Sequence, residues 1–372
     1  MEVLMFARKL MSFALLMFLT TACSSTPAST GTATDATSGL EVLQPSPGVD
    51  VDRTRAIGQV VDTDGALGWY PHEGSLMKYR VAIRFGVEPN TMPEGWNFGR
   101  VSAVATDSNN QVFVFHRGDV ADPIIVFDSE GNYVRSFGRG MFNNEHGLRV
   151  DRYDNVWVTD NGDHQVMKFS NSGELLLTLG VKGKAGTTDE TFDRPADIAF
   201  GPNDELYVAD GYGNSRVVKY DSSGNFVTTW GVPGSGPSEF DLVHSVAADS
   251  RGRVYVSDRE NNRIQIFDDK GGLLDMWTHL GATQNIFITP DDQVWVITHR
   301  DNVENITYDT LAGRIMHVDI ETGKIIGAME SPGHWIDVSG AGEIFIGSLT
   351  GNVFRWYQGW METEEAAQAE RP

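Results

Sequence analysis

The chain has 372 residues, with 51 acidic against 29 basic side chains, a formal net charge of −22 at pH 7 and one cysteine. So strong a negative balance repels phosphate backbones and excludes nucleic acid as a partner, and a lone cysteine excludes a disulfide within the chain. Forty glycines among residues that are 40% hydrophobic suit a fold of many short strands and turns.

Arg8 and Lys9 precede an apolar run from Leu10 to Leu19, followed by Thr20, Thr21, Ala22 and Cys23. The run is too short for a membrane span, so residues 1–22 read as an export signal. The site resembles a bacterial lipoprotein cleavage box, with Leu19 one place further from the cysteine than usual, and this implies lipid on Cys23. Residues 23–50 then form the lipidated cysteine and a Ser-, Thr-, Ala- and Gly-rich tether. No aspartate directly follows Cys23, so the expected location is the cell envelope, at an outer membrane facing the periplasm where two membranes exist.

Residues 51–358 read as an all-β, six-bladed β-propeller with NHL-like repeats. Six related strand cores recur: QVFVFH at 111–116, NVWVTD at 155–160, ELYVAD at 205–210, RVYVSD at 253–258, QVWVIT at 293–298 and EIFIGS at 343–348. Each alternates with the period of a half-buried strand and is flanked by polar turns and further short strands, four to a unit. YRVAIRF at 79–85 has no unit of its own and is expected to supply the outermost strand of the last blade, beside GNVFRWY at 351–357. The connection HRDNVENITYDTLAGR, from residue 299, is long enough to cover one face of the ring, and residues 359–372 form an acidic tail. A closed ring leaves no sheet edge that needs a partner, so a monomer is expected.

Ten residues before the second residue of each core stand Ser102, His146, Ala196, His244, Gln284 and His334. Imidazoles therefore fall on every second blade, at the entrance to the innermost strand. Three neutral imidazoles with an open fourth position are the ligand set of catalytic zinc, and ferrous iron accepts the same donors. The histidines at 72, 116, 164, 279, 299 and 317 lack this shared position, although His116 stands beside Arg117 in FHRGD.

FHRGD at 115–119, HGLRVDRYDNVWVTD at 146–160, DGYGNSR at 210–216 and DREN at 258–261, taken with the three placed histidines, resemble the peptidyl-alpha-hydroxyglycine alpha-amidating lyase family of NHL-type propellers. The resemblance implies zinc on His146, His244 and His334, Tyr212 as base, and Arg117 and Arg259 serving the site. It implies cleavage of R-CO-NH-CH(OH)-COOH, a peptidyl or small N-acyl hydroxyglycine, into an amide and glyoxylate. Arg259 is the candidate for lowering the Tyr212 pKa, and Arg117 for clamping the substrate carboxylate. Asp160, Asp210 and Asp258 read as turn acceptors, and Asn214 and Arg216 as supports of the Tyr212 loop.

In the family, the third histidine is followed by an aspartate of a structural calcium site. Here Trp335 follows His334, which makes calcium doubtful unless Asp337 substitutes. Two alternatives stay open: a metal-dependent lactonase or esterase, and a non-enzymatic NHL-repeat binding or scaffold propeller in the envelope.

Overall fold

The computed structural model describes residues 75–76, 79–82, 85–86, 91–298, 313–331 and 333–358. The export signal, Cys23 and its tether, residues 51–74, most of the long connection (299–312) and the tail 359–372 lie outside the described residues. Among the described residues, five four-stranded sheets and one five-stranded sheet follow one another along the chain. Their innermost strands are Arg100–Thr106, Glu145–Val150, Asp197–Phe200, Val243–Ala248, Thr283–Ile288 and Trp335–Val338, and these define blades 1 to 6.

The repeat is built by its turns. The residue two places before each second strand has a positive φ in all six blades: Asn110, Asp154, Asp204, Gly252, Asp292 and Gly342. Only glycine and short polar side chains tolerate that conformation readily. Each of these residues also donates its N–H to the carbonyl three residues earlier, from Asp107, Asp151, Gly201, Asp249, Thr289 and Ser339 respectively. One turn repeated six times holds every innermost strand in the same register to its neighbour, so equivalent positions point to equivalent places. The second strands bury both faces between adjacent blades, as in Val156–Asp160 and Leu206–Asp210, where every residue is buried.

Tyr79–Ala82 pairs antiparallel with Asn352–Gln358, matching Tyr79 to Gln358 and Ala82 to Arg355. A strand from ahead of blade 1 thus supplies the outermost strand of blade 6, the closure expected from strand counting. Two features lack a clear sequence signal. Ser75–Leu76 lies parallel to the outer strand of blade 5, and Val232–Pro233 pairs parallel with Glu239–Phe240. Two-residue strands carry no alternation to detect.

Candidate metal centre

His146, His244 and His334 converge at the axis, with ligand nitrogens within 4.8 Å of one another and ring centroids 5.0 to 5.2 Å apart. All three are buried. Each Nδ1 is held by the next blade of the ring: His146 by the Ala196 carbonyl at 2.8 Å, His244 by Gln284 at 2.6 Å and His334 by Ser102 at 2.6 Å. A carbonyl can only accept, so each Nδ1 carries the proton and each Nε2 presents a lone pair, the tautomer that a metal ligand needs. Burial, the neighbouring imidazoles and the Arg117 and Arg259 charges hold the His146 and His244 pKa values well below the usual range, keeping both rings neutral. Donor type, tautomer, charge and spacing fit a divalent ion.

Tyr212 lies against the triad, its hydroxyl 3.0 Å from His146 Nε2 and 2.9 Å from His244 Nε2. The loop that carries it is tied at both ends. Asp210 accepts from Asp193 N, Asn214 Nδ2 and Arg216 Nε at 2.7 to 2.8 Å, and Arg194 donates to the Tyr212 carbonyl at 2.8 Å. Asp160 and Asp258 accept backbone N–H groups in the matching turns, so the recurring aspartates are turn acceptors. Arg259 lies over the Tyr212 ring at 5.9 Å. It bonds Gln284 Oε1 at 3.2 Å and pairs with Glu260 at 2.6 Å. Burial raises the phenol pKa, and although Arg259 and Arg117 both pull it down, the net shift is upward.

Arg117 is half-buried and donates Nε to the Glu145 carbonyl at 2.6 Å, not to Asp119. His116 is structural: its Nδ1 accepts from Gly99 N at 3.1 Å, its Nε2 faces the Asp122 carbonyl at 3.0 Å, and burial pushes its pKa down to about 4.

Below the triad the channel is closed by a polar network that sequence reasoning missed. Arg149 pairs with Asp197 through Nε and Nη2 at 3.1 and 2.8 Å and donates to the Ile286 carbonyl. Asp197 also accepts from Ser245 Oγ at 2.6 Å and Asn285 Nδ2 at 3.1 Å, and Asn285 Oδ1 accepts from Ile336 N. The available signal was a charged residue in HGLRVD and another in ADIAF, each within an innermost strand. The Arg149 guanidinium also stacks over Trp335 at 4.8 Å. Trp335 itself is fully buried, so it packs the core and does not line a substrate pocket. Its indole replaces the expected carboxylate, and Asp337 Oδ2 is already bonded by Thr106 N and Oγ1 at 2.9 and 2.6 Å. A buried guanidinium and an indole at this place do not fit calcium, which requires oxygen donors. A cavity of about 920 Å³ opens at the other end of the channel, beyond Arg149 and Asp337, and no triad residue lines it.

The NHL repeat family model matches residues 192–220 and 240–267, within blades 3 and 4. The fold is a six-bladed propeller of NHL-like repeats. Human NHL repeat-containing protein 3 is 36% identical over 217 residues, covering 54% of this chain and 62% of that protein. The rat peptidylglycine alpha-amidating monooxygenase is 38% identical over 201 residues, covering 45% of this chain and 20% of that protein. A probable peptidyl-alpha-hydroxyglycine alpha-amidating lyase of Caenorhabditis elegans is 34% identical over 194 residues, covering 45% of this chain and 55% of that protein. The propeller thus spans less than two thirds of the length of each of these relatives. A streptogramin B lyase structure shares the fold at 13% identity and a TM-score of 0.52, covering 76% of this chain and 98% of that one. This NHL-type propeller carries a histidine triad able to hold a divalent ion and is related to amidating lyases at moderate identity.

Proposed function

We propose that the propeller is a metal-dependent carbon–nitrogen lyase that cleaves an α-hydroxyglycine-type amide to an amide and glyoxylate. The observation that carries this reading is the Tyr212 hydroxyl, within 3.0 Å of two triad nitrogens and beside two arginines. Zinc or ferrous iron on His146, His244 and His334 would supply Lewis acidity, lowering the pKa of the substrate hydroxyl. Tyr212 takes the hydroxyl proton as the C–N bond breaks and the oxygen becomes the aldehyde of glyoxylate. The same proton returns to the departing nitrogen, which leaves as a neutral amide, so no water is consumed. Arg117 receives the carboxylate through its guanidinium fork, and Arg259 holds the tyrosine ring while favouring its anion. Raised alone by burial, the phenol needs the metal's positive charge to act as a base near neutral pH.

The test is glyoxylate release from N-acetyl-α-hydroxyglycine by the zinc-loaded chain, before and after chelation. Chelator-sensitive release is expected; a metal-loaded, folded protein that releases none overturns the reading. The similarity to NHL repeat-containing protein 3 favours one second reading, a non-catalytic binding propeller, which predicts no turnover and no loss of partner binding in Tyr212→Phe. The envelope location also belongs to this proposal: palmitate labelling is expected in the wild type and lost in Cys23→Ser, with the propeller a monomer by light scattering.

A further inference from the structure

Arg100 opens the innermost strand of blade 1 and Arg117 ends its second strand, and the two are direct Cα partners across the antiparallel pair. Directly opposed residues project from the same face of a sheet, where like charges repel. A neutralising carboxylate is the ordinary solution in this chain. Arg149 has Asp197, Arg216 has Asp210, Arg259 has Glu260 and Arg263 has Asp258. Among the described residues neither Arg100 nor Arg117 has such a partner. Arg117 spends only Nε, on a backbone carbonyl, and Arg100 is exposed and makes no hydrogen bond or ion pair among the described residues. Burial pushes the Arg117 pKa down and the Arg100 charge adds to that, while Tyr212 and Glu145 oppose it. Glu145 is the acid whose charge Arg117 feels, but among the described residues it forms no ion pair with either guanidinium, so in a protein of net charge −22 two paired arginines on one face of the sheet keep N–H donors available to an anion.

We propose that Arg100 and Arg117 form a two-guanidinium clamp for the carboxylate of a small N-acylated amino acid, with Arg117 as the inner arm and Arg100 as the outer, specificity-determining arm. A carboxylate offers about four lone-pair positions on two oxygens and can accept both forks together. The inference deepens the lyase reading, since that carboxylate becomes the acid group of glyoxylate, but the clamp can be tested without turnover.

The experiment is titration calorimetry on the zinc-loaded full chain with N-acetylglycine, an unreactive acid, and with N-acetylglycinamide, its neutral counterpart. Arg100→Gln is expected to weaken N-acetylglycine binding roughly fivefold to tenfold, to flatten its salt dependence, and to leave N-acetylglycinamide binding and metal content unchanged. Arg100→Lys should recover the salt dependence and part of the affinity. With the hydroxyglycine substrate, Arg100→Gln should raise KM more than it lowers kcat. Failure of the wild type to bind N-acetylglycine, or equal affinity in wild type and Arg100→Gln at low salt, overturns the clamp. Binding that depends on Arg100 without glyoxylate release would uphold the clamp and reject the lyase reading. Glyoxylate release with an unchanged KM in Arg100→Gln would do the reverse.

Discussion

A tyrosine hydroxyl set between two imidazole nitrogens has one proton to give and two acceptors within reach, at 3.0 and 2.9 Å. Tyr212→Phe keeps the ring under Arg259 and removes only that hydroxyl, so kcat for glyoxylate release is expected to fall about 10²- to 10⁴-fold. Metal content, measured by elemental analysis, should not change, because the imidazoles remain fixed by backbone carbonyls. His116 gives a prediction of a different kind. Its folded pKa lies at about 4, below the ordinary imidazole value of 6.5, so between these values the unfolded chain binds the proton that the folded chain refuses. The contribution is therefore fully present above about pH 6.5 and is lost as the pH falls through 4, by about 3 kcal/mol. Urea denaturation across that window should show a smaller loss for His116→Gln than for the wild type. The three histidines were legible in the sequence because their positions repeat with the cores. Arg149 was not, because its partners Asp197, Ser245 and Asn285 meet only once the ring is closed.

Among the elements, the turn that carries Tyr212 has the least room. Gly211 passes so close to blade 4 that an added Cβ would collide with the Val243 carbonyl, and Val243 directly precedes His244. Gly211→Ala is expected to cost about 1 to 3 kcal/mol and to lower activity further by displacing both Tyr212 and His244. A lower urea midpoint together with weakened zinc affinity would verify this; an unchanged midpoint would argue against the contact. Blade grammar was readable from sequence because alternation and a left-handed turn residue recur together at all six second strands. The parallel pairing of Ser75–Leu76 with blade 5 was not readable, since its partner strand is some 250 residues away and two residues show no period.

For the molecule as a whole, the ring depends on one strand from far upstream. A chain beginning after residue 83 lacks Tyr79–Ala82 and leaves the Asn352–Gln358 edge unpaired. Lower thermal stability and concentration-dependent association by light scattering are expected. The channel network links blades 2 to 6 through Arg149, Asp197, Ser245, Asn285 and Ile336. Arg149→Met leaves the Asp197 carboxylate buried without its cation, at a cost of about 3 to 5 kcal/mol. Calcium or its chelation should leave the wild-type melting temperature unchanged, whereas a calcium-dependent rise would restore the structural ion to the account. The carbonyls of Ser102, Ala196 and Gln284 that orient the three imidazoles belong to blades 1, 3 and 5. Every blade therefore contributes to the centre, three through a side chain and three through the backbone. Zinc affinity consequently reports on how true the circle is: a slipped strand in any sector would be felt at the hub, and a simple metal titration could rank distant substitutions by how far they warp the wheel.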